Sequence, residues 1–372
     1  MRLRACTSAL AMAALTIGLT AAASPGQAVG PRPFLDRLHT VTPGPSTTPG
    51  NGDVNPYGTF TVEESVGDLH RGDVLVSNFN NSANLQGTGT TLVQVAPNGA
   101  VTTFATIDPS HLPGACPGGV GLTTALTVLP GGWVVVGSLP TADGTAATAQ
   151  AGCLLVLDRY GTVRETIAGG GINGPWDMTA VSHAGHSELF VTNVLNGTVA
   201  GNGAEVDQGT VLRITLSDRG DQPPQREATA VIGSGFAQKT DPAALVIGPT
   251  GLGLGRDGTL YVADTVQNRI TAIPHALTRD GSAGTGRTVT SGGSLNGPLG
   301  LTLTPQGDLL TVNSQDGFIV ETTPAGQQVA SKQIDNTGNP PGAGVLFGLA
   351  LDVDRDAVYF VDDGTNTLNL LH

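Results

Sequence analysis

Asn78, Asn193, Asp264, Asn313 and Asp362 each end a run rich in Val, Leu and Phe or Tyr, and Ser138 ends another. Side-chain oxygens recurring in this way can cap the turns that follow by accepting backbone N–H groups, or turn inward and bind a polar ligand. A second set, Asn55, Asn173 and Asn296, precedes a Pro or a Gly-Pro pair, and Trp176 stands just after one such Pro. Other apparent motifs fail on inspection. Gly253-x-Gly255-x-x-Gly258 spells a dinucleotide fingerprint, but a hairpin follows it where a helix is needed. Asp352, Asp354 and Asp356 resemble the start of a calcium loop, yet its sixth position is Ala357 instead of Gly. His183 and His186 flank a turn without further ligands, and no Gly-x-Ser-x-Gly elbow exists.

The elements that must position these residues recur. Stretches beginning near Asn55, Gly119, Gly174, Gly248, Gly297 and Val345 each read as a Pro-x-Gly-like lead-in, an apolar strand, a Gly or Asp turn and a second strand. Taking Gly58, Gly121, Asp177, Gly251, Gly300 and Gly348 as anchors, the spacing is about 48 to 74 residues, a range that marks a repeat architecture. A third strand follows in every copy and a fourth in most. Four-stranded antiparallel units set around an axis predict an all-β, six-bladed β-propeller over residues 55–372. The last copy ends after its third strand, so "DRLHTVT", Asp36 to Thr42, is expected to supply the missing outer strand and close the ring. Residues 29–54 would thus hold a closing strand and a Pro/Gly linker.

Composition agrees. The 372 residues include 54 Gly and 24 Pro, and only 13% are charged. Arg2 and Arg4 precede the apolar run "ALAMAALTIGLTAAA", which predicts a signal peptide over residues 1–28 and a secreted product. No other segment is long and apolar enough for a membrane span. Residues 1–28 carry two arginines and no acid, so cleavage would move the formal charge from −13 to −15, with 15 basic against 30 acidic residues. Such a surface argues against nucleic acid as a partner. Cys116 and Cys153 remain, and export predicts one disulfide between them.

Pro249-x-Gly251, Asp257-Gly258, Tyr261-Val262-Ala263-Asp264 and Asn268-Arg269-Ile270 together resemble an NHL repeat. The wider chain is similar to the six-bladed propellers that include gluconolactonase-like and strictosidine-synthase-like proteins. For the former, the resemblance implies a divalent metal at the axis, held by Glu, Asn and Asp oxygens from different blades. Calcium accepts such donors, and Asn193 and Asp264 match two of those places. Glu63 and Glu64 stand at the far end of their strand, where at least one should face the opposite side of the disc.

With strands named A to D from the axis outward, the B-to-C and D-to-A connections share one face. The B-to-C loops of the first three blades, 79–89, 139–152 and 194–208, are long, and those of the last three are tight. Long loops inside a compact repeat are usually functional or mobile, so this face is the expected binding surface. The sequence therefore points to a monomeric binding or scaffold module for a small polar ligand, a glycan or a protein. Its alternative is a calcium-dependent hydrolase or lactonase. The binding candidates are Asn55, Asn78, Asn173, Trp176, Asn193, Asp264, Asn296, Asn313 and Asp362.

Overall fold

Short runs of β-branched and aliphatic residues, punctuated by Gly, Asn, Asp and Pro, pair with their sequence neighbours, residues 41 and 42 excepted, and so form six separate antiparallel sheets. The computed structural model describes residues 32–183, 185–352 and 354–372; the expected signal peptide lies outside them. The blades begin with innermost strands Val54–Thr61, Leu122–Leu129, Pro175–His183, Pro249–Leu254, Pro298–Leu303 and Leu346–Asp352. In the fifth blade Leu309–Asn313 and Phe318–Thr322 follow, and Gln328–Gln333 forms the outer edge. Leu309–Asn313 is wholly buried because neighbouring blades cover both its faces, whereas Gln328–Gln333 alternates between half-buried and exposed. That gradient explains why inner strands read as continuous apolar runs and outer ones alternate.

The sixth blade closes as expected, with a shorter strand. Val41 and Thr42 pair with Leu371 and Leu370, and the N–H groups of His39 and Thr40 both reach the His372 carbonyl. Asp36 and Arg37, expected as the start of the strand, lie in a 3-10 turn over Leu35–Arg37 instead. Phe34, Leu35 and Leu38 are buried between the fifth and sixth blades, beside Val312, Ile319, Leu346 and Phe360. Glu321 explains the turn: its two carboxylate oxygens accept the N–H groups of Phe34 and Leu35 at 2.8 Å each, so the chain docks through an anion at a turn start. The Pro/Gly stretch that follows is also tied down. Thr47 donates to the Asn366 carbonyl, and its own carbonyl accepts Asn78 Nδ2.

The third blade departs most from the repeat. Its outer strands, Val206–Arg219 and Gln222–Asp241, form a long bulged ribbon that turns back through Leu245–Ile247. In the second blade, Leu122 pairs with Ser138 as Pro56 pairs with Asn78. Thr124, and not Gly121, is thus the counterpart of Gly58; an extra residue in this strand's bulge hid the alignment. Cys116 and Cys153 form the expected disulfide, with Cα atoms 5.3 Å apart, pinning the loop before the second blade to its third strand.

Deleting residues 33–42 removes three buried apolar side chains, each worth about 1.5–3 kcal/mol, together with the partners of Glu321. The melting temperature should fall by about 10 °C or more. A thermal scan with an unchanged midpoint would show that the ring does not need this clasp.

Candidate functional site

Two ends of the axis are built differently, and the sequence determines both. On the face of the long loops, the residue after the lead-in Pro or Leu joins an apolar cluster in four blades: Tyr57, Trp176, Leu299 and Phe347 are all nearly inaccessible and cluster with Phe79 and Leu139. Tyr57 stacks on Phe79 and Phe347 with ring centroids 4.5 and 4.0 Å away. Ala244 to Ile247 lie on the same cluster, and the Trp176 indole N–H donates to the Val246 carbonyl at 3.1 Å. The Tyr57 hydroxyl donates to the Ala243 carbonyl at 3.2 Å. This mouth is therefore shut by apolar rings.

The opposite end is open. A cavity of about 360 Å³ runs along the innermost strands of all six blades toward the A-to-B turns. Thr59, Thr124, Thr179 and Thr302 offer hydroxyls; Leu126, Met178, Leu252, Leu301 and Leu349 offer apolar wall. Glu63 lies at the turn end of its strand, so it lines the cavity on the face opposite the long loops, as its position in the sequence implied.

Asp177 lies at the cavity's inner end, and sequence reasoning missed it as a site residue. It occupies the place held by glycine in four of the other blades. There, an added Cβ at Gly251, Gly300 or Gly348 would come 2.3, 2.0 or 2.2 Å from a carbonyl oxygen of the next innermost strand. Only glycine allows such close approach. In the third blade a carboxyl spans the gap instead: Asp177 Oδ2 accepts the Leu252 N–H of the fourth blade at 2.9 Å. Thr192 stitches the same junction by accepting the Asp177 N–H at 3.0 Å and donating to the Thr250 carbonyl at 2.9 Å. Burial pushes the Asp177 carboxyl up to about 7, opposed by backbone donors from Leu252 and Met178, and no charged residue contributes. The signal was visible as an acid interrupting a series of glycines at one repeat position.

The residues singled out from the sequence sit on the loop side, mostly inside hairpins. Asn78, Asn193, Asp264 and Asn313 expose essentially no surface. Asn193 Oδ1 accepts the Asn173 N–H at 3.0 Å, and Asn173 Nδ2 reaches Asn196 at 2.9 Å. Asn313 Nδ2 donates to the Ser294 carbonyl and to Asp316, which also takes the exposed Asn296. Asp362 accepts the Thr365 N–H at 3.1 Å; burial and the neighbouring Asp335 push its carboxyl up to about 6. Asn55 is held at φ +62°, with its N–H on Asn366. Asn173 and Asn193 are thus brought together, as are Asn296 and Asn313, but the set does not converge on one point.

An axial calcium does not fit these residues. Asp264 Oδ2 meets Arg269 Nε at 2.8 Å, so a side-chain cation already neutralises the carboxylate proposed as a ligand through one of its two oxygens. Apolar rings fill the mouth where the donors would have to meet. Among the described residues, no group of three or more His, Cys, Asp or Glu is arranged to hold a metal.

No protein-family profile matches the chain, and no curated protein matches it in sequence. Solved structures do. A gluconolactonase from Xanthomonas campestris is 15% identical, with a TM-score of 0.53 over 90% of this chain and 97% of its own. A virginiamycin B lyase from Staphylococcus aureus is 16% identical, with a TM-score of 0.50 over 90% and 85%. Regucalcin, a calcium-binding protein from Agrobacterium tumefaciens, is 13% identical, with a TM-score of 0.50 over 88% and 94%. At these identities the likeness is one of fold: the chain is a six-bladed propeller of the architecture these proteins share.

The raised Asp177 carboxyl has a consequence for stability. The unfolded chain ionises it near 3.8 and the folded chain near 7, so between those values the native state binds more protons and stability falls as pH rises. The loss is complete above pH 7 and amounts to at most about 4 kcal/mol. Asp177→Asn keeps an acceptor for Leu252 and removes the titration. Relative to wild type, its melting temperature should therefore be higher by about 3–6 °C at pH 8 than the same comparison gives at pH 4. Because Asp362 titrates in the same window, the difference between the two proteins is the measurement. An offset that does not change with pH would refute the assignment.

Proposed function

We propose that the protein is an exported binding propeller whose ligand site is the axial cavity on the face of the A-to-B turns. The observation that carries this reading is the asymmetry of the axis, closed by stacked rings on the loop side and open, hydroxyl-lined and ended by a buried carboxyl on the other. Ligand sites are concave, largely apolar and equipped with a few placed polar groups, and this cavity has that make-up. Its lining holds two carboxyls, Asp177 at the inner end and Glu63 at the rim, and no His, Lys, Arg or Cys, so no imidazole, amine or thiol stands in it as base or nucleophile. Recognition of a small molecule requires less: shape, hydroxyls and one charge. Export is supported by the arginine-flanked apolar N-terminus and by the Cys116–Cys153 disulfide, a bond that oxidising compartments maintain.

The chain has its own reporters. Met178 is the one methionine among the described residues and lines the cavity, while the indole N–H of Trp176, two residues earlier, belongs to the loop-side plug. With methyl-labelled methionine, assigned through Met178→Leu, a panel of small polyols, sugars, amino acids and amines should include members that shift the Met178 methyl resonance saturably. Binders that move the Trp176 indole signal and leave Met178 in place would transfer the site to the long-loop face. A panel without any effect on Met178 would overturn the reading.

A further inference from the structure

We propose that the axial cavity takes a small alkylammonium compound, its cationic nitrogen meeting Asp177 and its carbon chain lying along the apolar wall. This rests on the cavity being the ligand site. Asp177 and Glu63 are the charged residues of the lining, and both are acidic. Two other buried aspartates have a cation beside them, Asp264 with Arg269 at 2.8 Å and Asp352 with Arg355 at 2.9 Å, whereas Asp53 is held by Thr90 and Thr91 and Asp362 by Thr365; Asp177 is the buried aspartate without a cation that faces the axial cavity. Asp177 has a backbone N–H from Leu252 and no basic side chain. A buried carboxylate without a counter-ion is costly, and the cost is relieved when a ligand brings the positive charge. The position itself strengthens the point, because glycine serves at this place in four other blades and the fold does not require an acid there. An ammonium also gains from the field of a chain with a formal charge of −13. The lining fits the remainder of such a molecule, with Met178, Leu252 and Leu301 against methylene groups and Thr124 and Thr179 within the same walls for a polar substituent. Anions and carboxylic acids find no donor charge here.

Protonation supplies a second signature. With its carboxyl near 7, Asp177 must release a proton before it can pair with a cation, so affinity should fall about tenfold for each pH unit below that value and level off above it. Glu63 at the rim is the other acidic side chain that faces the site, and Glu63→Gln should leave this profile in place.

The test uses n-butylamine and 1,4-diaminobutane at pH 8, with n-butanol and butyrate as uncharged and anionic counterparts, followed through the Met178 methyl resonance and by calorimetry. The expected result is saturable binding of both amines, no binding of butyrate, and at least tenfold weaker amine binding by Asp177→Asn. Butanol binding as tightly as butylamine, or amine binding indifferent to both Asp177→Asn and pH, would overturn the ammonium class while leaving the cavity as the ligand site. Amines without effect where sugars or polyols shift Met178 would do the same. If no compound of any class moves Met178, the cavity reading fails together with this one.

Discussion

Six sheets wound about one axis bring their innermost strands so close that a single β-carbon does not fit between them, and this crowding organises everything nearer the centre than the second strand of each blade. At Gly300, for example, a methyl group would lie 2.0 Å from the Phe347 carbonyl oxygen. The chain meets the constraint with glycine at Gly58, Gly251, Gly300 and Gly348. Tyr57, Leu299 and Phe347, just before three of these glycines, join the loop-side plug, and Thr59, Leu252, Leu301 and Leu349, just after the four, line the open channel. The glycine level is thus the boundary between a packed plug and a cavity. The second blade has Thr124 at this level and the third has Asp177, whose carboxyl bridges to Leu252 where backbone contact suffices in the four glycine blades.

The long loops take their meaning from the same geometry. They are bonded to one another and to the segment that caps the axis: Thr141 donates to carbonyl oxygens of Gly87 and Gln86, and Gln86 Nε2 reaches the Pro242 carbonyl. Gln238 donates to the Asn196 carbonyl. Inserted length has been used to close one end of a channel that would otherwise run through the disc. The N-terminal clasp acts at the rim in a related way, since Phe34, Leu35 and Leu38 fill the seam between the last two blades and Glu321 satisfies their backbone. Closure at the rim and at the axis leaves one large concavity on the molecule's axis, with one buried acid at its end.

Fold likeness to the solved neighbours does not reach the chemistry of the axis. Where a divalent ion at the axis would need convergent oxygens, this chain has stacked Tyr57, Phe79 and Phe347. Where a solvent-filled opening would tolerate any small residue, it has a carboxyl without a counter-ion. The physical cost of holding Asp177 is therefore better understood through what enters the cavity than through what it does for the folded ring.

Much of the architecture was legible because it depends on local rules. Alternating apolar runs, the Pro-x-Gly recurrence at 48- to 74-residue spacing and a final blade short of one strand specify six blades and a clasp without knowledge of any contact. The Cys116–Cys153 pairing followed from there being two cysteines left once the expected signal peptide is set aside. Asn78, Asn193, Asp264 and Asn313 were equally visible as a repeating polar position, since the turn after each strand demands a cap. What the sequence could not disclose is which way each end of the axis would be finished. Tyr57, Trp176, Leu299 and Phe347 are far apart in the chain and become a plug only when the ring closes; the long loops read as binding loops until their mutual hydrogen bonds are formed. Asp177 was in plain view as the odd member of a glycine series, yet its burial, its bond to Leu252 and its raised pKa exist only because two blades meet there. Periodicity along a chain determines the elements and their order, whereas the environment of a side chain is a property of the space that those elements enclose.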